Sequence, residues 1–133
     1  MAVDREEAMR LAKFWASVSE EHNVEKFQTV LHDDFVMWYN FDPNDRTRAE
    51  FIQTLKDAHA MFEDQKNEGL RITITEDGFV LQATMTGVLD GQRISSPYCL
   101  VATIKDGMVI RGDEYFDTAQ LTKKAGRPGE GMV

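Results

Sequence analysis

A single carboxylate interrupting an apolar face is the first feature of this chain that could do chemistry. From Met108 onward, strict alternation places Met108, Ile110, Gly112, Glu114 and Phe116 on one side of a strand. Val109, Arg111, Asp113 and Tyr115 fall on the other. Glu114 therefore stands between Ile110 and Phe116 on the more apolar face. Desolvation there would raise its pKa and suit it to general acid/base work near neutral pH. The alternative is a strand end frayed into water, with Glu114 simply exposed. Asp113 shares its face with Arg111 and reads as a solvated or interfacial ion pair.

Hydroxyls recur on two other apolar rows. Ile94, Ser96, Tyr98, Leu100, Ala102 and Ile104 share a face, so Ser96 and Tyr98 interrupt it. Phe35, Met37, Tyr39 and Phe41 alternate with Val36, Trp38 and Asn40, which turns Tyr39 inward and Trp38 outward. A few oriented polar groups in an apolar wall are what a small-molecule pocket needs. Core tyrosines whose hydroxyls reach the surface explain the same pattern. The candidate site is Glu114, Tyr39 and Tyr98 as catalytic groups. Trp15, Met37, Ala58, Phe62, Ser96 and Phe116 are its candidate substrate-binding residues, with Ala58 and Phe62 as the lid.

Other chemistries find little support. His22, His32 and His59 lie at unrelated spacings, and no Glu-x-x-His or Cys/His cluster occurs, so no metal is expected. The glycines sit singly at turns, so no phosphate loop is expected, and the pocket reading requires no cofactor. Cys99 is the only cysteine and reads as an inert packing residue in a reducing compartment. A net charge of −8 repels nucleic acid and anionic lipid, and the one basic cluster is Lys123, Lys124 and Arg127. No apolar run approaches the roughly 18 residues of a membrane helix. The acidic N-terminus does not resemble a secretory signal. A cytoplasmic location, of bacterial type, fits these features.

The elements that must position these residues can be read along 133 residues, a length suited to one domain. Asp4 and Glu7 have capping-box spacing, and Ala8, Leu11, Ala12, Trp15 and Val18 recur at helical intervals to about Glu21. Phe27, Val30 and Leu31 give one face of a short second helix. Thr47 and Glu50 open a third, with Phe51, Leu55, Ala58 and Phe62 on its apolar face, ending before Gly69. Phe35 to Asn40 reads as a strand stopped at Asp42 and Pro43. Asp-Gly pairs begin at Asp77, Asp90 and Asp106 and predict hairpin turns between four antiparallel strands, at roughly 70–76, 79–89, 92–105 and 108–117. Strands this long must curl, with a bulge or bend expected at Pro97. The result is an α+β domain over 1–122, a cone of curved antiparallel sheet wrapped around three N-terminal helices, followed by a flexible tail at 123–133.

This order of elements resembles the NTF2-like superfamily, a cystatin-like α+β barrel, and especially its SnoaL-like polyketide cyclase and ketosteroid isomerase-like branch. The resemblance rests on Leu31-His32-Asp33-Asp34-Phe35 entering the first strand, on Arg48 opening the third helix, and on Gly107 to Leu121 with Glu114-Tyr115-Phe116-Asp117 at its centre. It implies a pocket inside the cone. Ketosteroid isomerases of this fold use a tyrosine, an aspartate base and a protonated aspartic acid where Trp15, Tyr39 and Ser96 stand here. Limonene-type epoxide hydrolases use a Tyr/Asn pair where Met37 and Tyr39 stand, and their middle-strand Arg and Asp have no counterpart. Only Glu114 keeps a carboxylate at the family's last-strand position.

Three functions fit this reading. One is a cofactor-independent isomerase, cyclase or dehydratase acting on a hydrophobic carbonyl-bearing molecule. Glu114 would move a proton, Tyr39 and Tyr98 would bond an oxyanion or hydroxyl, and Trp15 and Phe116 would hold the apolar body. The second is a ligand carrier with the same pocket. The third is a dimerisation module with a filled cone, which would strand several polar groups in a dry core. A homodimer is expected through the outward face near Trp38, Arg111, Asp113 and Tyr115, with Val80, Val88, Val101 and Val109 as its apolar part.

Overall fold

Asp4 caps the first helix by accepting the Glu6 backbone N–H, and Glu6 and Glu7 lie in a first turn that favours negative charge. In the computed structural model, which describes residues 2–119, this helix is α1 (Arg5–Val18). A 3-10 helix (Val24–Thr29), β1 (Leu31–Tyr39), β2 (Asp42–Thr47) and α2 (Arg48–Met61) follow. The chain then forms β3 (Glu63–Ile74), β4 (Gly78–Leu89), β5 (Gln92–Lys105) and β6 (Met108–Phe116). The six strands form one curved sheet in the order β2-β1-β6-β5-β4-β3. The helices pack on its inner face, α1 against β3 and β4 and α2 against β1. Trp15, Phe27, Phe35 and Phe51 make the aromatic centre of the core, with Trp15 4.8 Å from Phe27 and 5.5 Å from Phe51.

The curved α+β architecture and the four-stranded meander agree with the sequence reading, while several details differ. β1 pairs with β6 in parallel, so the sheet is mixed rather than wholly antiparallel. The chain reaches β6 only after the whole meander, and it closes on β1 in the same direction. Residues 42–47 form a strand despite Pro43, because β2 is an edge and a missing N–H there interrupts no ladder. The second helix is a single 3-10 element and β1 starts at Leu31, which becomes a strand residue. α1 ends at Val18, where Ser19 donates its hydroxyl to the Ala16 carbonyl. α2 stops at Met61 and β3 begins at Glu63. Nothing in the polar run Glu63-Asp64-Gln65-Lys66-Asn67-Glu68 favours a strand locally, and pairing with β4 imposes it. Pro97 causes no register shift. Its carbonyl accepts the Asp117 N–H just past the end of β6, so its missing donor falls beyond the ladder.

Two of the three Asp-Gly turns behave as expected, with positive φ at Asp90-Gly91 and Asp106-Gly107. The third does not. Gly78 is buried without positive φ, and it is a glycine because a β-carbon there would overlap the Ala102 carbonyl oxygen. A bulge in β6 skips Ile110, since Thr103 faces Arg111 while Ile104 faces Val109. Val109 is consequently buried, not outward as strict alternation required. The expected tail at 123–133, the domain end at 122 and the basic cluster lie outside the described residues.

Candidate active site

Strand register decides which polar groups meet. Tyr39 on β1 lies directly beside Glu114 on β6, Leu100 flanks Glu114 on β5, and Tyr98 pairs with Phe116. The end of β6 does not fray. Asn40 accepts the Phe116 N–H at 2.9 Å and donates to its carbonyl at 3.2 Å, while the Asn40 N–H bonds the Glu114 carbonyl at 3.1 Å. Glu114 is held inside, 8 % exposed. The bulge matters here, because it restores the inward phase at Gly112 and Glu114 after Val109.

A cavity of about 70 Å³ lies between this end of the sheet and the helices. Tyr39, Tyr98, Glu114 and Phe116 line it from the sheet, Trp15 from α1, and Ala58 and Phe62 from α2 and its C-cap. Two expected residues do not reach it. Met37 pairs with Gly112 and fills the space that the glycine leaves, so a β-carbon on Gly112 would lie 2.7 Å from its Cε. Ser96 is buried, but its hydroxyl donates to the Asp117 carbonyl and is used there.

Sequence reasoning missed an important part of the lining. Gln65 and Asn67, on the β3 segment read as helix, both face the cavity. The Tyr98 hydroxyl donates to Asn67 Oδ1 at 2.9 Å. Asn67 Nδ2 donates to Ser19 Oγ at 2.7 Å and to the Ala16 carbonyl at 3.2 Å. The absence of apolar helical spacing after Phe62 was the available signal that α2 had ended. Thr54 and Leu55 on α2 and Phe27, Phe41, Phe51 and Met85 complete the walls with Ser19. Behind Tyr39, the Arg46 guanidinium stacks 4.7 Å from the ring centroid and bonds Asp42 at 2.9 Å and Thr54 at 3.3 Å.

Electrostatics follow from burial. Desolvation alone pushes the Glu114 carboxyl up to about 8, and among the described residues none donates a hydrogen bond to it. Burial, and then the nearby Glu114, hold the Tyr39 phenol well above its ordinary range, with Arg46 opposing. Burial, Glu114 and Glu20 raise Tyr98 likewise. Both tyrosines are therefore neutral phenols. Burial raises the Cys99 thiol, which disfavours a reactive thiolate. His22 and His59 do meet, with rings 5.4 Å apart, but the His59 Nε2–H donates to the Ser19 carbonyl. Among the described residues, no group of three or more His, Cys, Asp or Glu is arranged to hold a metal ion. No described helix is long and apolar enough to cross a membrane.

A curved six-stranded sheet around helices, with a cavity between them, defines the class of fold. Residues 11–112 match the SnoaL-like domain family, and the chain belongs to that family. Solved structures share the fold. A candidate polyketide cyclase from Xanthomonas campestris pv. campestris superposes with a TM-score of 0.80 at 16% identity, covering 90% of this chain and 97% of that one. AclR, a candidate hydroxylase from Streptomyces galilaeus, gives 0.81 at 18% identity over 94% and 100%. A protein of ketosteroid isomerase-like fold from Catenulispora acidiphila, in complex with trimethylamine, gives 0.77 at 15% over 90% and 95%. At these identities the likeness speaks for the fold alone. No curated protein sequence matches the chain.

Proposed function

We propose that this protein is a cofactor-independent enzyme that moves a proton on a hydrophobic, carbonyl-bearing molecule, in an isomerisation, cyclisation or dehydration. The observation that carries this reading is an ionisable carboxyl buried in a mostly apolar cavity beside a neutral phenol. In its ionised form Glu114 takes the proton α to the carbonyl. The electron pair moves onto the carbonyl oxygen, and the Tyr39 hydroxyl donates to the enolate oxygen that results. Glu114, now the acid, returns the proton at another carbon in an isomerisation, to the alkoxide formed when the enolate carbon bonds a second carbonyl carbon in a cyclisation, or to the leaving hydroxyl in a dehydration. A carboxylate with a raised pKa is a stronger base than an exposed one and is still partly ionised near neutrality. Trp15 and Phe116 hold the apolar body, and Ala58 and Phe62 close over it.

Deuterium uptake at the α-carbons of 2-indanone, followed by NMR in heavy water, tests the chemistry. The protein should accelerate uptake, and Glu114→Gln should reduce that acceleration by about 10²-fold or more while the ketone still binds. Binding without acceleration would make the protein a carrier.

The proposal extends to a homodimer through the outer sheet face. Val80, Val101, Asp113 and Trp38 form one row across β4, β5, β6 and β1, and Trp38 packs edge-on to Tyr115 at 5.2 Å. Tyr115 is 49% and Val101 37% exposed, and Arg111 pairs with Asp113 at 2.9 Å on the same face. Cytoplasmic residence belongs to the same proposal and rests on the one free cysteine and the acidic charge.

A further inference from the structure

The hydrogen bonds behind Tyr98 have a direction. The Ser19 hydroxyl donates to the Ala16 carbonyl, so Ser19 Oγ can only accept from Asn67. The Ala16 carbonyl is itself only an acceptor, so the Asn67 amide must aim its NH2 at α1. The Asn67 N–H is also anchored, by Glu20 at 2.6 Å. Asn67 Oδ1 is thereby turned toward Tyr98 and takes its only proton. What the Tyr98 oxygen has left is a lone pair. On the same face of β3, two residues away, Gln65 presents a fully buried Oε1 that has no donor. Unsatisfied buried acceptors cost free energy until a ligand supplies the proton.

We infer that Asn67 and Tyr98 select a ligand carrying a hydroxyl group, which donates to the Tyr98 oxygen, beside the unfilled Gln65 Oε1, while the carbonyl end lies at Tyr39 and Glu114. Tyr98 is then an acceptor that recognises the substrate hydroxyl, not a donor to an oxyanion. Asn67 acts through Tyr98 as a positioning residue. The inference rests on the proposed use of this cavity as the substrate site, and it narrows the substrate to hydroxy-carbonyl compounds.

The test is the affinity of three probes of one shape: cyclohexanol, cyclohexanone and cyclohexylammonium. Binding is read from Trp15 fluorescence in a Trp38→Phe background, which removes the only other tryptophan. One hydrogen bond predicts that cyclohexanol binds about fivefold tighter than cyclohexanone. Tyr98→Phe keeps the ring that stacks on Phe116, 5.3 Å away, and should abolish the preference without weakening the ketone. Asn67→Leu frees the Tyr98 proton for the ketone to accept and should remove the preference by tightening the ketone, a gain that mere loosening of the fold would not give. A ketone bound as tightly as the alcohol, or a preference that survives Tyr98→Phe, would overturn the inference. An ammonium bound more tightly than the alcohol would also overturn it, in favour of a cation held by Glu114. Failure of 2-indanone exchange with the alcohol preference intact would sink the acid/base reading and leave this one standing. No binding by any probe, with no acceleration of 2-indanone exchange, would sink both.

Discussion

Glu114 carries a free-energy cost that depends on pH in a definite direction. Its carboxyl binds a proton more tightly in the folded protein, near pH 8, than in the unfolded chain, near 4.5. Below pH 4.5 both states are protonated and the group adds no pH dependence. Between 4.5 and 8 the unfolded chain releases its proton first, so stability falls as pH rises, by up to about 1.4 kcal/mol per unit. Above 8 both states are ionised and the loss stops. Denaturant titrations at pH 5.5 and 7.5 should show wild type losing stability relative to Glu114→Gln across that interval. The same ionisation sets the rate if Glu114 is the base. Exchange at 2-indanone should climb with an apparent pKa near 8 and level off above it. A pH-independent wild-type rate would remove Glu114 from that role.

At the scale of elements, two contacts illustrate how the site is held. Thr47 and Glu50 form a complete capping box at the start of α2, with Thr47 accepting from the Glu50 N–H at 3.2 Å and Glu50 accepting from the Thr47 N–H at 2.9 Å. Thr47→Ala should cost about 1 kcal/mol by chemical denaturation. Gly78 is the more severe case. Its neighbour is backbone, the Ala102 carbonyl, so no side chain can give way. Gly78→Ala should separate β4 from β5 and cost about 3 kcal/mol or more, visible as a lowered Tm. A variant with unchanged Tm would mean that β4 and β5 have slack across this contact. The Asp77-Gly78 pair was legible as a strand boundary from its residue types. The reason for the glycine was not, because it lies on a strand remote in sequence.

For the whole molecule, the outer face of the sheet and its inner cavity answer to different experiments. Val101→Glu places a charge in the middle of the proposed interface and should convert a dimer to a monomer by sedimentation velocity, with a Tm that falls and no longer rises with protomer concentration. A wild-type monomer at micromolar concentration would end the dimer proposal. The sequence by itself determined the two α-helices, the order of the four-stranded meander with its long hairpins, and the inward aspect of Glu114, Tyr39 and Tyr98. Those features depend on local periodicity and turn chemistry, which act over a few residues. Tertiary structure decided the parallel closure of β1 on β6, which puts Tyr39 beside Glu114. It also decided the bulge that buries Val109, and the conversion of Glu63–Glu68 into a strand that brings Gln65 and Asn67 to the cavity. Strand pairing joins residues far apart in the chain, and a shift of one residue exchanges inside for outside, so no local pattern could have fixed these contacts.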